Sequence, residues 1–388
     1  FLQKDTKQKG EAERLAAAQL AAAPAAPPVE DLLRVDTMEL EVGYGLVGLV
    51  DTKQGGDLLD RISAVRRQLA SEIGMVLPPV RIRDNMTLQP NVYRIKIRGS
   101  VVAEGETRPG LLLAMDSGIA SGPIGGEPTR EPAFGLNAWW VPITLRTRAE
   151  SLNYTVVDAT SVLTTHLSEV VRAHADELLT REEVNNLLAQ LKQRAPKLVE
   201  ETVPKVVTAG ELQKVLQSLL RERVPIRDLE TVIETLSDWA GKTKDLDVLT
   251  EYVRNALRRT ICQQFAVPAD PARGGKKGGQ RLVCVTLDPA FEDVISGYID
   301  RSAAGTTLNI PAGVANTVAR RISEALKPVV SGGHQPVVIA SPQVRAQVRQ
   351  ILEHQVPNAA VLGYNEIVPG IEVESLGLVT MQPEKAVA

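Results

Sequence analysis

The chain has 388 residues, room for two to four compact units at roughly 100 to 200 residues each. Hydrophobic residues make up 44% and charged residues 23%, but only 4 Phe, 3 Trp and 6 Tyr occur, so aliphatic side chains must fill the interior and base-stacking surfaces are scarce. A net charge of −3 gives no positive excess to release counterions from nucleic acid, and two cysteines, Cys262 and Cys284, allow at most one disulfide, which suits a reducing compartment.

Residues 1 to 35 begin Phe1-Leu2-Gln3-Lys4, continue with Lys, Asp, Gln and Glu, and pass into Ala with Pro24, Pro27 and Pro28. No secretory signal is expected here, and neither stretch buries much apolar surface, so a flexible linker is expected. Every strongly apolar run of the chain is shorter than the about 20 residues of a spanning helix, so these residues are expected to be soluble. From Met38 to Leu46 apolar and polar or glycine positions alternate, the period of a strand. Leu58, Leu59, Ile62, Val65, Leu69 and Ile73 then form one helical stripe, stopped by Gly74 ahead of Pro78-Pro79. Alternation returns at Val80–Arg83 and Tyr93–Arg98, which makes residues 36–109 an α/β or α+β unit.

Residues 118 to 135 carry five glycines and three prolines, too many breakers for a regular element, so a long loop should precede Phe134. A strand over 138–143, a short helix over 146–152 and a strand over 154–157 suggest a small β-rich unit at 110–158. Val162, Leu163, His166, Leu167, Val170, Val171, His174 and Leu178 predict an amphipathic helix over 159–178. Capping-box spacing at Thr180/Glu183 and Thr208/Glu211 opens further stripes, Leu229–Leu236 adds another, and Leu246 to Ile261 a last one, so 179–265 should be all helical. Residues 266–280 read as a linker. The remainder, 281–388, alternates strands (281–287, 337–340, 359–362, 373–381) with helices beginning at Asp288-Pro289, Val314 and Ser341-Pro342, a second α/β unit.

Chemistry-bearing motifs are sparse. GGKKGG (274–279) has Asp270 where a phosphate loop needs Gly, lacks a Ser or Thr after the lysines and precedes a strand instead of following one, so it reads as linker. His166 and His174 diverge by about 80° on a helix, and no metal-ligand spacing involves His334 or His354. No metal or other cofactor is expected. No nucleophile elbow, zincin or dinucleotide fingerprint occurs, and Cys262 sits on an apolar helix side, so covalent catalysis has no candidate. Phe134 stands out, placed after a Gly/Pro-rich loop, beside Glu131 and close to Trp139-Trp140. An apolar anchor beside a charge suits a docking pocket for a peptide or helix. From the residues alone, the core of a small aromatic-poor unit is the plainer reading.

Five ordered blocks carry a resemblance: ELEVGYGLVGLVD (39–51), PPVRIRDNMTLQPNVYRIKIRG (78–99), EPAFGLNAWW (131–140), YTVVDATSVLTTHLSE (154–169) and VPIRDLETVIETL (224–236), with VPNAAVLGYNEI (356–367) as a looser match. They resemble the cytoplasmic domain of the flagellar type III export-gate family, FlhA and its virulence-secretion relatives. The resemblance implies a protein of the bacterial inner membrane whose soluble half forms a nonameric ring on the cytoplasmic face of the flagellar basal body, with residues 1–35 as its tether. It also implies four domains: a first α/β domain (36–109 with 159–178), an inserted small ferredoxin-like α+β domain (110–158), a helical domain (179–265) and, after the 266–280 linker, a C-terminal α/β domain (281–388). In the family, export chaperones carrying late substrates dock in a hydrophobic dimple between the first two domains. Phe134 matches its central aromatic position, Glu131 an acidic position, Thr165 a polar position, and Met115, Leu136, Val157 and Val162 apolar lining positions. Asn153 and Ser117 depart from the family pattern at the rim. The resemblance thus turns the reading of Phe134 towards function and implies a non-enzymatic platform whose other partners include the export ATPase complex. Two rivals remain open at the level of sequence: a nucleotide-binding or NTP-hydrolysing subunit, and a purely structural ring subunit.

Overall fold

The computed structural model describes residues 35–269, 279–302 and 305–381; the greater part of both expected linkers lies outside the described residues. The protein is mixed α/β, with three sheets of four or more strands and a two-stranded hairpin among the described residues.

The first sheet holds β1 (Met38–Val42), β2 (Arg81–Asp84), β3 (Val92–Ile97) and β4 (Ser100–Glu106) in the order β2-β1-β3-β4. The alternation to Leu46 does not continue as strand. The chain turns at Gly43, whose N–H donates to the Val92 carbonyl at 2.9 Å, and Tyr44–Leu46 is a 3₁₀ turn into α1 (Val47–Val50). A Cβ on Gly43 would lie 2.2 Å from the Gln89 oxygen, so glycine here serves a close backbone approach. Helix α2 (Leu58–Ile73) links β1 to the parallel β2 and buries Leu58, Ile62, Leu69 and Ile73. It ends at Gly74 with φ +92°, the left-handed cap expected of glycine. Arg98-Gly99, both at positive φ, closes the β3–β4 hairpin.

The second sheet is fully antiparallel: β5 (Leu111–Met115), β6 (Glu127–Arg130), β7 (Asn137–Pro142) and β8 (Thr155–Asp158) in the order β6-β7-β5-β8, with α3 (Arg146–Ser151) between β7 and β8. A βαββαβ ferredoxin-like unit has a helix after its first strand. Here the breaker-rich segment 116–126 takes that place. The same segment was expected to be loop as far as Phe134, yet 127–130 pairs with β7; Pro128 is tolerated because β6 is an edge strand.

Helix α4 (Ala159–Ala173) lies between these two sheets, and α5 (Ala175–Leu178) follows a break at His174 in what the sequence predicts as one helix. Asp158 caps α4 by accepting from the Ser161 N–H at 2.8 Å, and Arg61 of α2 donates to both Asp158 and Ser161. Six helices follow: α6 (Arg181–Arg194), α7 (Pro196–Thr202), α8 (Ala209–Arg221), α9 (Leu229–Trp239), α10 (Leu246–Ala256) and α11 (Arg258–Phe265). Thr180 and Thr208 cap α6 and α8, and Glu211 completes a capping box with Thr208. The single stripe read over 246–261 is two helices, divided at Leu257.

The last sheet contains β9 (Val267–Pro268), β10 (Gln280–Leu287), β13 (Val337–Ala340), β14 (Ala360–Gly363) and β15 (Ile371–Val379), parallel in the order β14-β13-β10-β15 apart from β9. Helices α12 (Pro289–Ser296), α13 (Ala312–Ser331) and α14 (Arg345–Leu352) flank it, and β11 (Ile299–Ser302) with β12 (Gly305–Leu308) forms the hairpin. Asp288 and Pro289 open α12 as read, whereas a turn over 342–344 delays α14 to Arg345.

Candidate functional site

The second sheet has two apolar faces. Leu112, Ala114, Val141 and Tyr154 pack with Ala149 of α3 on one side, while Leu113, Ala138 and Trp140 face Val162 of α4 on the other. Strand period 2 puts Met115 and Val157 on the α4 side, and both pack half-buried against that second cluster. Met115 pairs with Ala138, and Val157 pairs with Leu113. Three of the lining residues expected from the sequence, Met115, Val157 and Val162, therefore meet in one cluster at the seam between the sheet and α4. Val162 is 2% exposed, so it floors this seam and does not present a surface. Leu136 is half-buried just before β7, and Thr165 is exposed one helical turn beyond Val162.

Phe134 is 61% exposed. That excludes the plainer reading of it as a core aromatic; the core of the small unit is built instead from Leu112, Leu113, Trp140 and Val141. The loop that displays it is held by Glu131, which is 2% exposed. The Glu131 carboxylate accepts from the Ala133 and Phe134 N–H groups at 2.8 and 2.7 Å, its own N–H donates to the Leu136 carbonyl, and Gly135, at φ +70°, donates back to the Glu131 carbonyl. Glu131 was expected to offer a charge to a partner. Its oxygens are instead committed to the loop, so it acts by positioning Phe134, through charge-assisted bonds stronger than neutral ones.

Behind the loop, Tyr93 of β3 and His166 of α4 share a buried hydrogen bond between the phenol oxygen and Nδ1 at 2.9 Å. Burial, and then the charge of Glu131, push the Tyr93 phenol up, and burial holds the His166 imidazole below its ordinary value. Gly105 makes this possible: a Cβ there would lie 2.4 Å from the phenol oxygen.

Cavities of about 340, 510 and 220 Å³ lie elsewhere, and none is lined by Phe134 or by the other residues singled out with it. The half-buried Met115 and Val157 leave apolar surface at this seam, suited to covering by a partner's side chains more than to engulfing a small molecule.

A buried charge network, unmarked by any local sequence pattern, lies where α8 and α10 meet the last sheet. Arg345 donates to Glu222 at 2.6 and 2.9 Å and to Glu251, while Arg254 donates to Glu366 at 2.7 and 3.0 Å and to Glu222 at 3.2 Å. Arg345 and Arg254 are 1% and 2% exposed. Burial alone would raise the Glu222 carboxyl, but the charges of Arg254 and Arg345 overcome that and hold it at about 2.

The FHIPEP family model matches residues 1–372. The flagellar biosynthesis protein FlhA of Bacillus subtilis is 42% identical over 351 residues, covering 90% of this chain and 50% of that protein, so the chain spans about half the length of the relative. Among solved structures, the Chlamydia pneumoniae CdsV and CdsO protein complex superimposes with a TM-score of 0.77 at 26% identity, covering 89% of this chain and 98% of its counterpart. The nonameric EPEC SctV-C gives 0.70 at 22% identity, covering 89% and 98%, a likeness of fold.

Proposed function

The chain belongs to the FHIPEP family, and on that premise we propose that it is the cytoplasmic part of a flagellar type III export gate, a platform that docks export chaperones with their late substrates and passes the cargo to the channel. No bond is made or broken in this task. The platform forms a ring at the cytoplasmic face of the inner membrane, a reading supported for its assembly by the nonameric SctV-C that shares its fold. A second class of partner in this reading is the export ATPase machinery; the CdsV neighbour, solved in complex with CdsO, supports a fold that holds a further protein. Four domains with the boundaries read from the sequence complete this picture.

The observation that carries the reading is an exposed Phe134 fixed by a buried Glu131 beside an apolar seam. A benzyl side chain is normally buried, and holding one out in a four-bond loop makes sense when a partner covers it. A chaperone's apolar side chains would cover Phe134, Leu136 and Met115, with the exposed Thr165 hydroxyl fixing register. Mounted on a ring, each weak site would gain from effective concentration. The test is hydrogen exchange on the purified chain with and without a chaperone–substrate complex. Protection should concentrate at 131–136 and around Thr165; saturable binding that protects neither would reject the site, and no binding at all would leave only a structural ring subunit.

A further inference from the structure

Parallel sheets are as a rule covered on both faces, and the open edges of sheets are kept short or blunted by charge or proline. The last sheet departs from both patterns at β15. On one of its faces Leu282, Cys284, Ile339 and Leu362 join Ile261 in a core shared with the helical segment. The same face continues onto β15, where Val373 pairs with the buried Leu282 and Leu378 pairs with Thr286. There the cover stops: Val373 and Leu378 are 46% and 51% exposed, and Leu376 between them is 39% exposed.

Strand β15 is also the end of its sheet, and among the described residues no strand pairs with its outer edge. It runs nine residues and contains no Lys, Arg or Pro. The edges of the three larger sheets otherwise differ. β2 carries Arg81, Arg83 and Asp84, β4 carries Glu104 and Glu106, β6 carries Pro128, and β8 and β14 run only four residues each. On β15 a bulge follows Ser375, whose hydroxyl donates to the Gly377 carbonyl at 3.0 Å, so a regular outer ladder is confined to 371–375, with Leu376 and Leu378 beyond it. Its two acids are unequal: Glu374 is paired with Arg281, whereas the exposed Glu372 has no ion-pair partner among the described residues.

We propose that β15 is a strand-pairing site for an extended segment of another polypeptide, one with alternating apolar side chains and a Lys or Arg opposite Glu372. Main-chain groups along the edge would supply the ladder, and alternate side chains of the incoming strand would lie on Val373 and Leu378. Charge argues against a second copy as the occupant, since another β15 brings two carboxylates and no cation to Glu372. Main-chain bonds make such a site tolerant of sequence, which suits polypeptides that share little beyond an unfolded state.

Fluorescence anisotropy on the full chain tests this, with a labelled peptide alternating valine with lysine and threonine, the same peptide N-methylated throughout, and a third with glutamate in place of lysine. The first should bind saturably and about 10-fold or more tighter than either of the others, because the second cannot donate to a ladder and the third repels Glu372. Val373→Lys and Leu378→Lys, both at exposed positions, should each weaken it about 10-fold, and Glu372→Gln should narrow the gap between the lysine and glutamate peptides. Phe134→Ala should leave this binding unchanged, which separates the edge from the docking loop. Equal binding of the N-methylated peptide, no saturable binding, affinity lost with Phe134→Ala but kept in both edge variants, or self-association of the chain that Val373→Lys abolishes would each overturn the proposal.

Discussion

Glu222→Gln removes one negative charge from the buried network without changing the side chain's shape. The carboxylate lies between Arg345 and Arg254, at 2.6 to 3.2 Å from their nitrogens, and its side chain is 14% exposed. A carboxyl held at about 2 instead of 4.5 favours its charged form by about 3 kcal/mol, and the amide imitates the protonated form, so the variant should lose about that much. An independent guide agrees, since removing one partner of a buried ion pair typically costs about 3 to 5 kcal/mol. Because a chain of several units need not unfold in one step, the assay is native-state amide exchange at α10 and α14, which carry Arg254 and Arg345. A loss of about 3 kcal/mol corresponds to roughly 150-fold faster exchange there. The sign with pH follows from the depressed carboxyl. Its stabilisation is complete above 4.5 and is lost as pH falls towards about 2, so the wild-type protein should weaken over that window and the variant should lack this component. Exchange within threefold of wild type at α10 and α14, or an unchanged acid profile, would refute the reasoning and mark the network as neutral.

Three further outcomes are expected. Gly74→Ala forces a Cβ to 2.4 Å from the Arg227 backbone at a residue with φ +92°, and should cost about 3 kcal/mol by denaturant titration; an unchanged midpoint would show that the α2 terminus relaxes freely. Glu131→Ala frees the Ala133 and Phe134 N–H groups and should weaken chaperone binding about 10-fold although Phe134 is intact, measured calorimetrically; undiminished affinity would show that the loop needs no buried carboxylate. Burial holds the His166 imidazole below its ordinary 6.5, so stability present above that value should fall as the solution is acidified below it; His166→Gln should flatten the slope below pH 6.5, and an identical slope would assign the loss to other groups.

The helices were legible because their stripes, caps and glycine stops are local: α2 with Gly74, α6 with Thr180 and α8 with Thr208 follow directly from short-range pattern. Strands were less legible where glycine imitated polar alternation, as at Gly43 and Gly45, or where Pro128 concealed an edge strand. Phe134 could be found because aromatics are scarce and a breaker-rich segment precedes it. The part played by Glu131 could not, because a glutamate three positions before an exposed aromatic has the same sequence signature whether it faces a partner or bonds the backbone behind it. The charge network was invisible for another reason: Glu222 and Arg345 are 123 positions apart, and only the approach of the last sheet to α8 and α10 makes them neighbours.

The central claim concerns what covers Phe134, and the most direct test is Phe134→Ala titrated against a cognate chaperone–substrate complex. If binding is micromolar, worth about −8 kcal/mol, loss of one buried benzyl group at about 3 kcal/mol should weaken it roughly 100-fold. The ring is exposed in the free chain, so the variant should keep its fold and its far-ultraviolet circular dichroism. Affinity unchanged from wild type in that folded variant would contradict the account.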